Sequence, residues 1–554
     1  MKRMGLLLAV AAVAVATMRT SAMIPEQVKI DTGALSGTTG SEQASVRMFK
    51  GIPFAAPPLG ENRWRAPQPA AKWDGVRKAD AFGAPCTAGA PGGRGGPGRG
   101  GRGPGGERGA APGAVPPPPA APREPARSED CLYLNVWTSA KSAGDRRPVM
   151  LWIYGGGFTG GSGGQQWYDG ENLAAKGPVI VTFNYRLGAL GFYAHPELAK
   201  ESGHNASGNY GMMDAIAALQ WVKRNVAAFG GDPNNVTVAG ESAGAIMVGA
   251  LVGSPQAKGL FKRAIAESGG WMGLTMARMR SSAEAQAGGA KAADALGVKT
   301  IAELRAKPLE GLTGLLGVGL VVDGYLIPED QSLTFARGKQ NAVDVLTGSN
   351  KDEANFGICG PGVGLAGRGG QGLTVDAFKT AATRKFGDSA DQYLRLYPAA
   401  SDADARTAAH EACADEISWN MRQWAAAQAK LGKKAYTYFF TRVQTVNGQP
   451  SPAGATHTAE ISFAWNNPKG QPTQTWNDVD TKLANQMSSY WVNFIATGDP
   501  NGSGLPPWPR FKDLATSEVM VLGDTPKAEA APPAAKLAFY QAAFERMLKA
   551  PATN

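Results

Sequence analysis

The sequence predicts an α/β protein in which hydrophobic strands run into glycine-rich turns and then into helices. The clearest case is VTVAGESAGAIMVGAL (236–251), where a run rich in β-branched residues precedes GESAG and an apolar helical stretch. A second hydrophobic run, VMLWIYGGGFTGG (149–161), ends in consecutive glycines. With 43% hydrophobic and 18% charged residues in a chain of 554, the composition is that of a globular protein with a large core.

The N-terminus carries the pattern of a cleaved export signal. Lys2 and Arg3 precede the apolar run GLLLAVAAVAVAT (5–17), which is shorter than the roughly 20 residues of a membrane anchor, the alternative interpretation. Small residues suited to cleavage follow as far as Ala22. We therefore expect residues 1–22 to be a signal peptide. The mature protein would then be secreted or periplasmic, without stable membrane insertion.

A Gly/Pro/Arg-rich segment interrupts the chain at about 88–127. Its arginines, together with the basic residues of the leader, account for most of the net charge of +10. Glycine and proline disfavour helix and strand, so we expect a disordered insertion, most simply a tolerated surface loop. Residues 87–130 contain no aromatic side chain that could stack on bases, which argues against a nucleic-acid partner.

The chain has four cysteines, Cys86, Cys131, Cys359 and Cys413. An even number in an exported protein favours two disulfides, which allow three connectivities, with free buried thiols as the alternative. Pairing neighbours along the sequence gives Cys86–Cys131 and Cys359–Cys413. The first of these bridges would close a loop that contains the whole insertion.

The pattern G-x-S-x-G between a strand and a helix is typical of a nucleophile elbow, a sharp turn that exposes a reactive serine. Gly240 and Gly244 permit the turn, and Ser242 lies at its tip. The N-terminus of the following helix favours negative charge at the reaction centre. The glycines at 155–157 could bring backbone amides close to an oxyanion, with a flexible turn as the alternative interpretation.

A serine nucleophile needs a base, and the chain has four histidines. His195 and His204 precede the serine, against the order serine, acid, histidine that accompanies such an elbow. His410 lies in an alanine-rich helical pattern, which favours a packed or solvated side chain. His457 follows a Pro/Gly loop and precedes the strand-like end of GATHTAEISFAW (454–465), which makes it the candidate base.

The third member of the set is an acid that orients the imidazole. The segment VLTGSNKDEANF (345–356) is typical of a short apolar strand followed by a loop that carries Asp352 and Glu353. Spacing alone does not distinguish these two acids. No phosphate loop and no clustered Cys/His spacing is visible in the sequence, so we expect neither a cofactor nor a metal.

Several longer motifs extend over most of the chain. They are FKGIPFAAPPLGENRW (49–64), SEDCLYLNVW (128–137), WIYGGGF (152–158), NYRLGALGF (184–192), FGGDPNNVTVAGESAGA (229–245), KDE (351–353), HTAEISFAW (457–465) and ATGDPNG (496–502). In these motifs the chain resembles the type-B carboxylesterases, the family of bacterial para-nitrobenzyl esterases and cholinesterases. The resemblance implies an α/β-hydrolase fold, with a central, mostly parallel twisted sheet flanked by helices, as a single domain over 23–554.

This resemblance implies a serine carboxylesterase that hydrolyses a small-molecule ester through an acyl-enzyme. Ser242 would be the nucleophile, Glu353 the acid and His457 the base, so the resemblance favours the glutamate of KDE over the aspartate. It predicts neither the physiological ester nor the oligomeric state.

The resemblance also implies an oxyanion hole and a disulfide. Backbone amides of Gly156, Gly157 and Ala243 would bind the oxyanion, and Cys86–Cys131 would be the bridge that closes a loop beside the mouth of the active-site gorge. The resemblance thus assigns specific residues to the oxyanion hole, whereas the local pattern indicated only the glycine run and the elbow.

Overall fold

The structure is a computed structural model that describes residues 23–88, 125–270, 273–274, 279–315, 317, 319–356, 372–471 and 473–549. The predicted signal peptide, residues 1–22, lies outside this part of the chain, as do residues 89–124 of the predicted insertion. Cys359 also lies outside it, so the pairing Cys359–Cys413 stays a prediction.

The strands of the described residues form one large sheet and three small ones. In chain order they are β1 (Gln27–Ile30), β2 (Gly33–Ser36), β3 (Thr38–Thr39), β4 (Arg47–Pro53), β5 (Val76–Lys78), β6 (Tyr133–Thr138), β7 (Arg147–Ile153), β8 (Val179–Phe183), β9 (Gly231–Glu241), β10 (Arg263–Glu267), β11 (Arg280–Ser281), β12 (Val321–Val322), β13 (Asp344–Asn350), β14 (Ala435–Phe440), β15 (Thr445–Val446), β16 (Gln449–Pro450), β17 (Val519–Leu522) and β18 (Lys527–Glu529).

The described residues also form fourteen α-helices. They are α1 (Glu171–Ala175), α2 (Gly188–Phe192), α3 (Pro196–Glu201), α4 (Tyr210–Asn225), α5 (Ala243–Gly253), α6 (Ser282–Ala295), α7 (Ile301–Ala306), α8 (Gln331–Ala336), α9 (Val375–Phe386), α10 (Ala390–Leu396), α11 (Asp402–Lys430), α12 (Ile461–Ala464), α13 (Asp478–Thr497) and α14 (Ala534–Lys549). Several of them pack against the large sheet, among them α5, α11 and α13. Among the helices of the described ranges, none combines the length and the apolar character needed to cross a membrane.

The large sheet has the strand order β18-β17-β14-β13-β10-β9-β7-β8-β6-β4-β3. From β17 to β8 every neighbouring pair is parallel, and antiparallel strands continue the sheet at both ends. Strands β8 and β10 are buried at every position, as expected for parallel strands covered on both faces. The predicted mostly parallel sheet flanked by helices is therefore confirmed.

Four neighbouring parallel strands place the candidate residues at one edge of the sheet. In the order β13-β10-β9-β7, the carboxyl ends of these strands lead into the acid loop at 351–353, Ser268, Ser242 and the glycine run at 155–157. In open α/β sheets this edge is where ligands bind. The parallel register thus gathers residues that are far apart in the sequence.

The segment after His457 differs from the sequence prediction. Residues predicted as strand-like form the short helix α12, in which Ala464 donates to the Glu460 carbonyl at 2.9 Å and Trp465 donates to the Ile461 carbonyl at 2.9 Å. All four residues of α12 are buried. Because a short apolar run buried on every side has no periodicity, the pattern could not separate strand from helix.

The predicted disulfide Cys86–Cys131 is present, with its Cα atoms 4.9 Å apart. Both cysteines are buried. Arg127, at the end of the segment that the bridge encloses, donates to the Cys86 carbonyl at 2.7 Å and to the Gly161 carbonyl at 3.2 Å. Arg127 therefore links the end of the loop that the disulfide encloses to the glycine-rich segment that follows β7.

A buried ion pair fastens the loop after β8 to α4. Arg186 donates from Nη2 to Asp214 Oδ1 at 2.7 Å and from Nε to Asp214 Oδ2 at 2.9 Å, and the two side chains are 3% and 0% exposed. The Arg186 backbone amide also donates to Asp214 Oδ2 at 2.9 Å. Removing one partner would leave an uncompensated charge in the interior.

We expect Asp214→Asn to lower the free energy of unfolding by about 3–5 kcal/mol, because the buried guanidinium loses its counter-charge. The matched control is Asp31→Asn at the exposed pair Arg224–Asp31, where the loss should be at most about 1 kcal/mol. Urea unfolding followed by tryptophan fluorescence measures both variants. Equal losses in the two variants would contradict the importance assigned to the buried pair.

Candidate active site

Ser242 lies at the junction of β9 and α5, where the sequence predicts an elbow. Its backbone has φ +56° and ψ −125°, a conformation that strains a residue other than glycine by on the order of 1–3 kcal/mol. The Ser242 amide donates to the Glu267 carbonyl at 2.9 Å, and its carbonyl accepts from the Ile246 amide at 3.0 Å. These bonds to β10 and α5 hold the strained residue, whose side chain is only partly buried.

Close backbone packing explains two of the glycines around Ser242. A Cβ on Gly244 would overlap the carbonyl oxygen of Ile153, the last residue of β7. A Cβ on Gly155 would lie 2.5 Å from Glu241 Oε2 and 2.9 Å from Ser242 Cβ. The elbow and the glycine run therefore pack directly against each other, which brings the end of β7 beside Ser242.

The residues predicted to bind the oxyanion lie on both of these elements. Gly156 and Gly157 follow β7 with φ of +110° and +61°, and both are exposed. Ala243 is the first residue of α5, where amides have no acceptor within the helix and favour negative charge. Just before the glycines, Tyr154 and Tyr185 each donate a hydroxyl hydrogen bond to the other's carbonyl, at 3.2 and 3.0 Å. This exchange fastens the start of the glycine run to the end of β8.

Glu353 and His457 are in contact although 104 positions separate them. Glu353 Oε2 lies 2.7 Å from His457 Nδ1, and the two side chains are 0% and 1% exposed. The Asn350 amide donates to the other oxygen of Glu353 at 3.0 Å. Each oxygen of the Glu353 carboxylate thus has its own partner, the Asn350 amide at the end of β13 for one and the His457 imidazole for the other.

The neighbouring acid, Asp352, has different partners. Its Oδ2 accepts from the Ala455 amide at 2.6 Å, and its Oδ1 lies 3.2 Å from His410 Nε2. The two acids that spacing could not distinguish therefore have separate places in the structure. Only Glu353 is in contact with His457 among the acids of the KDE segment, as far as the described contacts show.

The other histidines have local structural partners. His195 precedes α3 and accepts a hydrogen bond from the Glu197 amide at its Nδ1, at 3.2 Å. His204 stacks on Tyr325, with ring centroids 3.8 Å apart. His410 lies on α11 beside Asp352. These contacts agree with the choice of His457 as the candidate base.

Sequence reasoning did not single out three buried glutamates that form a cluster near His457. Glu241 Oε1 lies 3.1 Å from His457 Nε2, on the side of the ring opposite Glu353. Glu267 accepts from Trp491 Nε1 at 2.8 Å, and Glu460 accepts from the Asn350 side-chain amide. The first two end β9 and β10, so the strand order that gathers the candidate triad also gathers these acids.

The sequence held a signal for each of these glutamates. Glu241 is the variable position of G-x-S-x-G, Glu460 follows His457 by three residues, and Glu267 ends the apolar run RAIAE (263–267). An ionisable residue at the end of a buried strand is a candidate for a functional site. Recognising the cluster required the strand order, which the sequence pattern did not provide.

Burial changes the protonation of these acids. It raises the pKa of Glu241 to about 8, against the opposing charge of His457. Burial and the charge of Glu353 raise the pKa of Glu460 to about 7. Burial also raises the pKa of Glu267 well above its ordinary value. Because carboxylates this close repel one another, the cluster retains protons at a pH where exposed glutamates have lost them.

His457 responds to the same charges in the opposite sense. Burial lowers the pKa of the imidazole, but the charges of Glu241 and Glu353 outweigh burial and raise the pKa of His457 above its ordinary value. Because the charge of each group shifts the pKa of the other, the protonation of Glu241 and the protonation of His457 are linked.

The chain is similar to known carboxylesterases along most of its length. The profile of the carboxylesterase family matches residues 25–540. Fumonisin B1 esterase of Sphingopyxis macrogoltabida is 36% identical over 501 residues, covering 88% of this chain and 85% of the relative. Para-nitrobenzyl esterase of Bacillus subtilis is 30% identical over 505 residues, covering 88% and 93%. The crystal structure of the carboxylesterase EST55 of Geobacillus stearothermophilus superposes with a TM-score of 0.73 at 31% identity, covering 93% and 100%.

The mostly parallel sheet, the serine elbow and these likenesses together define a carboxylic ester hydrolase with the α/β-hydrolase fold. The chain belongs to the carboxylesterase family, as its match over residues 25–540 and its 36% identical relative show. The type-B resemblance derived from the sequence motifs is therefore confirmed.

We expect Glu241→Gln to move the acid limb of the pH profile of kcat/KM to lower pH by roughly one unit. The candidate base His457 must be neutral to accept a proton. Replacing the Glu241 carboxylate with a neutral amide removes a charge that raises the pKa of His457, so the imidazole should stay neutral in more acidic solution. Hydrolysis of a para-nitrophenyl ester across the pH range measures the limb.

Glu267→Gln is the matched control for this variant. Glu267 is equally buried, but its carboxylate is hydrogen-bonded to Trp491 instead of contacting the His457 ring. We expect a smaller shift of the acid limb in this control. A shift to higher pH in Glu241→Gln, or equal shifts in both variants, would contradict the electrostatic role assigned to Glu241.

Proposed function

We propose that the protein is a serine carboxylesterase in which Ser242, Glu353 and His457 form the catalytic triad. The observation that carries the proposal is the 2.7 Å contact between Glu353 Oε2 and His457 Nδ1, formed by fully buried side chains. It lies at the carboxyl edge of the parallel sheet, to which the strained elbow also brings Ser242. Membership of the carboxylesterase family supports the same assignment.

In the proposed acylation step, Ser242 Oγ attacks the ester carbonyl carbon while His457 Nε2 accepts the serine proton. Glu353 accepts a hydrogen bond from Nδ1, which fixes the tautomer and stabilises the imidazolium that forms. The tetrahedral intermediate carries its charge on the former carbonyl oxygen. It then collapses as the C–O bond to the alcohol breaks and His457 returns the proton to the leaving alkoxide.

Deacylation repeats these steps with water in place of the serine. His457 accepts a proton from water, the hydroxide attacks the acyl-enzyme, and Ser242 leaves with the proton from Nε2. In both halves, amides of Gly156, Gly157 and Ala243 would bind the oxyanion. Loss of one such donor lowers turnover by on the order of 10²- to 10³-fold in hydrolases of this kind.

We expect Ser242→Ala to lower kcat by roughly a million-fold on para-nitrophenyl esters, because the members of a triad act as a unit. Ser503→Ala, which changes an exposed loop serine, is the matched control and should retain the wild-type rate. Both variants are compared with the wild type in steady-state assays after circular dichroism verifies that they fold. Equal rates for Ser242→Ala and the wild type would exclude Ser242 as the nucleophile.

The same assay defines the acyl specificity when the acyl chain is varied from acetyl to decanoyl. The chain length with the highest kcat/KM measures the size of the acyl pocket. Because the fumonisin B1 esterase of Sphingopyxis macrogoltabida is a 36% identical relative, fumonisin B1 belongs in the same substrate panel.

We also propose that the enzyme is exported, with residues 1–22 removed. This proposal rests on the basic start, the short apolar run and the small residues before Ala22 in the sequence. Intact mass spectrometry of protein from the periplasm or medium should give the mass of a chain without the leader. Deleting residues 2–22 should keep the esterase activity inside the cell. Full-length protein in the cytoplasmic fraction would contradict export.

A further inference from the structure

Asp352 connects three parts of the fold: the acid loop after β13, the loop before His457 and helix α11. It lies directly before Glu353, and its carboxylate contacts both the loop before His457 and helix α11. One oxygen accepts from the Ala455 amide at 2.6 Å, and the other lies 3.2 Å from His410 Nε2. Both side chains of the Asp352–His410 pair are largely buried, at 14% and 18% exposure.

The loop before His457 is shaped to receive this carboxylate. Gly454 has φ +67°, and a Cβ at this position would overlap Asp352 Oδ2. The Asp352 amide donates to the Ala455 carbonyl at 3.0 Å, which pairs the two backbones. Asn350 donates from its side chain to the Thr456 carbonyl at 2.8 Å. The acid loop and the histidine loop are therefore joined by several hydrogen bonds, one of which the Asp352 carboxylate accepts.

The charges around Asp352 favour its ionised form. Burial opposes ionisation, but the hydrogen bonds from His410 and Ala455 lower the pKa of Asp352 below its ordinary value. Lys351 adds a further favourable charge. A carboxylate that accepts bonds from an amide and an imidazole at once holds both in a fixed relative position.

We propose that Asp352 is a positioning residue for the triad, and that the Asp352–His410 pair clamps the histidine loop against the acid loop so that His457 Nδ1 meets Glu353. The inference rests on the triad proposed above and adds two residues to it. Neither residue contacts the reacting atoms, so both act through the placement of Glu353 and His457. A displacement of about 1 Å in such a pair can lower turnover by on the order of 10²-fold.

The test uses full-length enzyme carrying Asp352→Ala, with Asp391→Ala on the exposed face of α10 as the matched control. We expect Asp352→Ala to lower kcat by about 10- to 100-fold with KM within about twofold of wild type. The acid limb of kcat/KM should also move to lower pH. His457 is faced by Glu353, Glu241 and Glu460, and weaker contact with Glu353 removes part of the stabilisation of the imidazolium.

Two substitutions at His410 separate positioning from general stability. His410→Gln keeps an N–H donor that can reach Asp352, whereas His410→Leu keeps bulk and loses the donor. We expect His410→Leu to lower kcat several-fold and shift the acid limb, and His410→Gln to recover most of the loss. This pair also decides the question if Asp352→Ala fails to fold.

The outcomes separate the clamp from the triad. If Ser242→Ala is inactive while Asp352→Ala and His410→Leu keep the wild-type kcat and acid limb, the clamp is wrong and the proposed function stands. A loss of thermal stability with an unmoved acid limb also overturns the clamp, because it indicates a purely structural role. If Ser242→Ala is as active as the wild type, both proposals fail together.

Discussion

The contact between Glu353 and His457 is the interaction on which the rest of the site depends. It joins two side chains that are fully removed from water and belong to loops 104 positions apart. A buried carboxylate is tolerated only when hydrogen bonds and an opposite or polar partner compensate for lost hydration. Those partners are the Asn350 amide at the end of β13 and the His457 imidazole, whose loop comes after β14, the parallel neighbour of β13.

The elbow depends on the same edge. Ser242 holds a strained backbone conformation, and the strain is offset by a bond to the Glu267 carbonyl on β10 and by the start of α5. Gly244 lies against the Ile153 carbonyl so closely that a side chain would not fit. Ser242 and the glycine run are therefore positioned by backbone contact between β9 and β7. Such contact is stiffer than contact through long side chains, which suits a site that must hold reacting atoms in place.

The sequence predicted the strand–turn–helix elements and the fold well, because each depends on a local pattern. The elbow around Ser242 and the strand before the glycines needed only hydrophobic runs and glycine positions. The short helix at Ile461–Ala464 was predicted as strand-like, since burial on every side removes the periodicity.

The roles of Asp352 and Glu353 were beyond the local pattern. Which carboxylate meets the imidazole depends on how two loops pack against each other, and the spacing of KDE carries no information about that packing. The buried acids escaped prediction for the same reason, because Glu241 and Glu267 meet through the order of the strands and Glu460 is placed by the packing of the loop that carries His457. Local patterns thus predict elements, and the long-range order of the sheet determines their chemistry.

The buried acid beside the serine gives the proposed mechanism a particular electrostatic character. If Nδ1–H is donated to Glu353 as proposed, Nε2 is the atom that would accept the proton of Ser242, and Nε2 lies 3.1 Å from Glu241 Oε1. A proton on Nε2 occupies the lone pair that the proposed reaction needs, so the imidazolium must lose that proton before His457 can act as a base. Once the serine proton arrives, the imidazolium lies between two carboxylates and is stabilised by both. In the proposed mechanism the charge of Glu241 therefore has two effects. It limits activity at the acid end of the pH range, and it stabilises the His457 imidazolium that forms during catalysis.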